Sequence, residues 1–186
     1  MRIIAGQFRS RTLQSVPGLD LRPTSDRLRE ALFDVLCAAR ELKESVWLDL
    51  FAGTGAVGIE ALSRGARQVY FVESGKKHAR LLRENLAALG IDTGYEVQER
   101  EVAKALPLLD ATGVVCDFCF LDPPYQRRGS YEQTMGYLSQ SRLLQPASIV
   151  VAEHEKKFDP GERFGAVVRY RRLDQGDASL SFYRLA

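Results

Sequence analysis

The spacing of apolar positions changes period repeatedly along the chain. Residues 25–39 place Leu28, Ala31, Leu32, Val35, Leu36 and Ala39 on one face at helical spacing, which predicts a helix. From residue 46 onward, short apolar runs alternate with amphipathic stretches. The runs predict strands at 46–51, 68–73, 95–99, 117–122 and 148–153. The stretches between them predict helices at 56–64, 75–89, 101–109 and 131–139. Two last strands, near 166–173 and 179–185, follow with no helix between them, which predicts an antiparallel terminal hairpin. At the other end, residues 2–8 and 11–16 read as a small hairpin appended to the core. Repeated βα alternation predicts an α/β fold: Rossmann-like, doubly wound, with a mostly parallel seven-stranded sheet and helices on both faces. The chain reads as a single domain, with 1–24 as an arm and 25–186 as the core. Ligands of such sheets sit beyond the carboxyl ends of the strands, and this layout puts Asp49, Glu73, Glu101 and Asp122 there.

The first strand ends in a glycine-rich turn, Asp49-Leu50-Phe51-Ala52-Gly53-Thr54-Gly55-Ala56-Val57-Gly58. Gly53, Gly55 and Gly58 match G-x-G-x-x-G in a strand–turn–helix context, and Glu73 ends the next strand about 20 residues on. An acid so placed suits ribose hydroxyls, so the pattern predicts a nucleoside-containing cofactor. Asp49 reads as lying in the mouth of the turn. Its carboxylate would repel a pyrophosphate and attract a cofactor carrying a sulfonium and an α-amino group. S-adenosylmethionine has both cations and no phosphate.

The fourth strand runs into Asp122-Pro123-Pro124-Tyr125. Two prolines fix φ twice and remove two donors, and the residue before them is held extended. The result is a stiff ledge carrying a carboxylate, bare carbonyls and an aromatic face. Asp122 and the Pro123 carbonyl can accept the hydrogens of an exocyclic amino group while Tyr125 stacks on the ring. An ionised Asp leans slightly toward guanine, which presents two adjacent donors, over adenine, which presents an acceptor at N1; the same tetrapeptide also serves adenine, so both bases stay open at this point.

Four blocks in order carry a resemblance. Asp49 to Gly55 looks like motif I of the class I methyltransferases, and Asp122 to Tyr125 looks like their amino-methylating motif IV. Arg2 to Arg11, with Leu21 to Phe33, and Gly176 to Tyr183 at the other end resemble the RsmD family of bacterial 16S ribosomal RNA guanine-N2 methyltransferases. The resemblance implies a class I methyltransferase fold and methyl transfer from S-adenosylmethionine, with S-adenosylhomocysteine as product and no metal. It implies 16S rRNA as partner, within the 30S subunit or a late assembly intermediate, in the cytoplasm. The implied cofactor contacts are Asp49, Phe51, Ala52, Gly53, Thr54, Gly55, Glu73 and Ser74. The family places its adenine-side acid in a Gly-Asp-Ala turn, where this chain has Arg100-Glu101-Val102. Glu101 and Val102 are the candidates there; a helix start that favours an acid explains Glu101 equally. Thr24 and Arg27 fall in the block kept near cofactor and substrate, and N-capping by Thr24 or Ser25 explains part of that pattern.

Composition adds bounds. At 186 residues the chain can bury a substantial core, and no apolar run is long enough to span a membrane. The default oligomeric state is a monomer. Three cysteines, an odd number, suit a reducing compartment, and Cys116 and Cys119 read as core residues of a buried strand. A net charge of +2 says little, but its distribution is uneven. Arg9, Arg11, Arg22 and Arg27 crowd the first thirty residues, Arg127 and Arg128 follow the ledge, and Lys156, Lys157, Arg163, Arg169, Arg171 and Arg172 form a later group. The first two sets are candidate RNA contacts, arginine being suited to bidentate phosphate binding. His78 reads as helix surface and His154 as an exposed strand end. Two other functions compete: a DNA adenine-N6 methyltransferase, against which stands the lack of a separate target-recognition domain, and a nicotinamide-dependent oxidoreductase, against which stand Asp49 and the lack of a Tyr-x-x-x-Lys proton relay.

Overall fold

The computed structural model describes residues 1–15, 25–124 and 126–186. The parallel strands are β1 (Val46–Leu50), β2 (Gln68–Val72), β3 (Tyr95–Gln98), β4 (Cys116–Leu121) and β5 (Leu144–Glu155). They are connected through helices α2 (Ala56–Ser63), α3 (Lys76–Ala88), α4 (Val102–Ala111) and α5 (Gly129–Leu138), and α1 (Asp26–Ala39) precedes them. The strand order is β3-β2-β1-β4-β5-β8-β7-β6, where β6 (Arg163–Phe164), β7 (Val167–Gln175) and β8 (Ala178–Leu185) complete the sheet. Pairing is parallel from β3 to β5 and antiparallel from β5 outward. The chain order reverses between β1 and β4, which opens a crevice at their carboxyl ends.

Strand alternation divides the core into two layers. Trp47, Phe71, Phe118, Phe120 and Val151 face α1, α2 and α3. Leu48, Leu50, Cys119, Leu121 and Val150 face α4 and α5. Trp47 is stacked between Phe33 of α1 and Phe118, with ring centroids 5.5 and 4.6 Å away. Cys116 and Cys119 are buried core residues, as their strand context predicts.

The sheet has eight strands rather than seven. The two-residue β6 is too short to leave a periodic signal, and it exists because Phe164 pairs with Val167 and packs on Tyr183. The expected N-terminal hairpin is present in short form: Arg2 bridges Thr12, Ile3 N–H donates to the Arg11 carbonyl at 2.9 Å, and Leu13 N–H donates to the Met1 carbonyl at 3.0 Å. The pairing does not extend further into residues 4–8, because their backbone bonds to α2 instead. The N–H groups of Ile4 and Ala5 donate to the Glu60 carboxylate at 2.8 and 3.0 Å, and that of Gln7 donates to the Ser63 carbonyl at 2.8 Å. Gly6, at φ +83°, lies so close to Ser63 that a Cβ would stand 1.8 Å from its carbonyl oxygen. The arm is therefore docked on the core, with Ile3 and Leu13 in the same layer as α1.

Candidate active site

After β1 the backbone turns sharply enough to put Phe51 at φ +63°, an uncommon conformation for a bulky side chain. Ala52 N–H then donates to the Val72 carbonyl at 3.0 Å, which ties the turn to β2. The three glycines serve different purposes. Gly53 has φ +56°, and a Cβ there would meet nothing within 4 Å, so the backbone is bare on its outer side. Gly55 caps α2 at φ +83°, where a Cβ would stand 2.1 Å from Leu82. A Cβ on Gly58 would stand 2.2 Å from the Phe71 ring, so this glycine sets the close approach of helix to sheet.

Glu73 closes the turn from β2. Its two oxygens accept from Gly53 N–H at 2.8 Å and Gly75 N–H at 2.6 Å, fixing the carboxylate beside the glycine turn. His78 is not a surface residue: it is half-buried, with Nδ1 3.9 Å from a Glu73 oxygen. Asn85 of α3 is buried and bonds both to the Thr54 carbonyl at 3.1 Å and to the backbone of Gln14, so one amide joins turn and arm.

Asp49 lies deeper than the mouth of the turn. Strand alternation points it to the α2 side with Trp47, and it is 2% exposed. Its carboxylate accepts from Gly58 N–H at 2.9 Å, in the first turn of α2 where an acid is favourable. Burial pushes its pKa up to about 8, with a further push from Glu73.

The ledge follows β4. Pro123 is buried, Asp122 and Pro124 are partly accessible, and Asp122 N–H donates to the Leu50 carbonyl at 3.4 Å. The Pro124 carbonyl accepts from Arg127 N–H at 2.7 Å. Among the described residues, no such backbone bond engages the Pro123 carbonyl. The register pairs Leu121 with Ala152, which sets the next residues, Asp122 and Glu153, side by side. Burial first, then the nearby Glu153 and Asp49, raise the Asp122 carboxyl well above its ordinary range. Glu153 is a buried acid that the sequence reading missed. An acid ending the apolar run Ile149-Val150-Val151-Ala152 is the signal that could have found it.

Beside these groups lies a cavity lined by Phe51, Val72, Ser74, Glu101, Val102, Arg127 and Thr134, among others. Glu101 is the N-cap of α4, but its side chain makes no capping bond; it reaches Arg127 at 3.7 Å. Arg128 pairs with Glu155 at 3.3 Å and lies 4.8 Å over the Phe158 ring. Arg9, Arg11 and Arg27 are exposed, and Arg11 also donates to the Ala88 carbonyl at the end of α3, at 2.9 Å. Tyr125, Arg22 and Thr24 lie outside the described residues. Ser25 caps α1, accepting from Leu28 N–H at 3.1 Å. His154 is not exposed: it is fully buried, bonded to Ser181 and to the Glu155 carbonyl, and burial lowers its pKa.

The strand order, the glycine turn and the proline ledge together define a class I methyltransferase fold, and known structures agree. A provisionally named methyltransferase of Escherichia coli, yhhF, superposes with a TM-score of 0.84 at 31% identity, over 100% of this chain and 98% of its own. A hypothetical protein of Thermus thermophilus gives the same TM-score and identity over 98% of both chains. The family model described as Conserved hypothetical protein 95 matches residues 1–184. The chain belongs to that family, the RsmD family that its sequence blocks resemble. Ribosomal RNA small subunit methyltransferase D of Escherichia coli K12 is 37% identical over 155 residues, covering 83% of this chain and 75% of its own length. YlbH of Bacillus subtilis, provisionally named an rRNA methyltransferase, is 30% identical over 184 residues, 99% of this chain and 98% of its own.

Proposed function

We propose that this protein transfers a methyl group from S-adenosylmethionine to the exocyclic N2 of a guanine in 16S ribosomal RNA. The observation that carries the reading is the convergence of Asp122, on its proline ledge, with the glycine turn and Glu73 at the switch point of the sheet. Family membership supports the class of reaction, and two relatives named for rRNA methylation support the class of substrate.

The residues present fit that cofactor. Gly53 leaves bare backbone where a Cβ would project into open space, and Glu73 is fixed beside it by two amides. Glu101, Val102, Ser74 and Phe51 line the adjoining cavity, suited to the nucleoside end. Asp49 and Asp122 are carboxyls whose charged forms are disfavoured by burial and mutual repulsion, and a cation nearby relieves both. S-adenosylmethionine supplies an already activated methyl group when bound.

The chain's own task is to prepare the nucleophile. The lone pair of an exocyclic amine is delocalised into the ring. Asp122 and the Pro123 carbonyl accept its two hydrogens, hold the nitrogen in line and favour a pyramidal geometry. Asp122 is placed to accept the proton that nitrogen loses as the new N–C bond forms. Positioning and fixed electrostatics supply most of the rate. Tyr125 stacks on the base, which is extruded or already single-stranded. The arm, through Arg9, Arg11 and Arg22, together with Arg27 of α1 and the rim arginines Arg127 and Arg128, contacts phosphates.

Asp122→Ala tests the assignment. Transfer to small-subunit particles falls by at least about a hundredfold, as expected for loss of a group that acts on the nucleophile. Calorimetric affinity for S-adenosylmethionine stays within a few-fold. Retained turnover overturns the role of Asp122. Binding of a nicotinamide dinucleotide in place of S-adenosylmethionine overturns the reaction class.

A further inference from the structure

The later basic group of the sequence divides in two in the folded chain. Arg169 and Arg172 are neutralised: Arg169 pairs with Asp159 at 2.6 Å and with Glu162 at 3.3 Å, and Arg172 pairs with Asp174 at 3.0 Å. Arg171 behaves differently, and so does Arg184 of β8. Both are exposed, and among the described residues neither has an acidic partner. Both instead lie against aromatic rings, Arg184 at 5.4 Å from the Tyr170 centroid and Arg171 at 6.0 Å from that of Phe182.

A break in strand register builds this arrangement. Arg169 pairs with Tyr183 and Arg171 with Phe182, which leaves Tyr170 as the extra residue of a β-bulge. In a regular strand, neighbours point to opposite faces. Here Tyr170 and Arg171 both lie against the same ring, Tyr170 with its centroid 6.4 Å from that of Phe182. Bulges re-aim side chains in this way. Arg184, two residues beyond Phe182 on β8, comes up on the same side. Tyr170 is 41% exposed, one of three large apolar or aromatic side chains so open among the described residues. Phe182 belongs to the same apolar layer as Ile3 and Leu13 of the arm, so this patch and the basic arm share one face of the sheet.

We propose that Tyr170, Arg171 and Arg184 form a stacking platform for unpaired nucleotides of the RNA substrate, outside the catalytic crevice. The deduction rests on the rRNA reading above. The chemistry favours RNA over a protein partner: a partly exposed aromatic ring with one guanidinium over it, a second beside it and, among the described residues, no acidic partner for either takes a base against the exposed ring edge or the guanidinium plane and phosphates on the cations. A patch kept only for solubility has no need of an exposed tyrosine set between two uncompensated arginines by a break in register.

The test uses the full chain and a fluorescent single-stranded RNA oligonucleotide, with binding measured against salt. Tyr170→Ala is expected to weaken binding about five- to a hundredfold, the range for loss of one stacking platform, while Tyr170→Phe retains it. Arg171→Gln with Arg184→Gln is expected to reduce the slope of log affinity against log salt by about one for each phosphate no longer engaged. S-adenosylmethionine affinity stays unchanged, because β7 and β8 stand apart from the glycine turn in the sheet, and the Tyr170→Phe variant keeps the wild-type melting temperature. Wild-type-like RNA binding in these variants overturns the proposal. So does a result in which oligonucleotide binding is intact and only binding to the ribosomal particle is lost, since a protein surface is then the occupant. If the wild type binds RNA through this patch yet methylates none, the platform stands and the enzymatic reading falls.

Discussion

Asp49 is subject to two opposing effects, complete burial and a backbone amide donor, and burial is the larger. Its pKa, raised from 3.8 to about 8, makes stability depend on pH in a defined direction. Between those values the folded chain keeps a proton that the unfolded chain has released. Stability is therefore greatest below the lower value and declines as pH rises through the upper one. Asp159 works in the opposite sense, because its bond to Arg169 holds its pKa down to about 2; its contribution is lost only in acid. Thermal midpoints of the ligand-free protein measured from about pH 5 to 8 should thus fall more steeply for wild type than for Asp49→Asn. Parallel curves contradict the assignment. Glu73 gives a second prediction at this scale. Glu73→Ala loses two amide bonds to a charged acceptor, and S-adenosylmethionine affinity should fall by roughly ten- to a hundredfold by calorimetry. An unchanged affinity removes Glu73 from the cofactor site. Much of this was legible in the chain. Gly53, Glu73 and Asp122 follow from motif and spacing, whereas Glu153 and Asn85 act through neighbours distant in sequence, and no local pattern marks them.

Glu60 organises the N-terminal segment at the level of elements. Fully buried in α2, it accepts from Ile4 and Ala5 N–H and from Arg64 Nε, the last at 2.8 Å, and lies 3.8 Å from the buried Arg29. Arg29 in turn donates to the Arg2 carbonyl and to Asp26. Removing the acid leaves two amides unbonded and takes from the buried Arg29 its buried acidic partner, leaving it the half-exposed Asp26. Glu60→Ala should cost about 3–5 kcal/mol in urea unfolding and release the arm to limited proteolysis. A loss under about 1 kcal/mol means that the arm is held by its apolar contacts alone. The same network explains why the hairpin read at 2–8 and 11–16 pairs only around Arg2 and Thr12. Alternation in the arm is real, with Ile3 and Leu13 inward, but the hydrogen-bond partners of Ile4, Ala5 and Phe8 come from residues 60 and 63, more than fifty positions away. The βα units needed no such information. Each carries its own period and its own turn, and β1 to β5 appear where the apolar runs place them.

The parts of the whole molecule meet at the carboxyl edge of the sheet. Asn85 ties the arm to the glycine turn, Arg127 closes on Glu101 beside the cavity, and the register of β4 and β5 brings Glu153 to Asp122. The arm is therefore linked physically to the glycine turn. Net charge alone hid the polarity of this surface, because Asp159, Glu162 and Asp174 are used to pair Arg169 and Arg172. Methyl transfer to guanine N2 is read by supplying S-adenosylmethionine labelled in the methyl group to the protein, with 30S particles from cells lacking the gene. The RNA is then digested and its nucleosides separated by mass. Label is expected in N2-methylguanosine, and none when Asp122 is replaced by Ala. Label in N6-methyladenosine, or none in RNA at all, contradicts the proposed reaction.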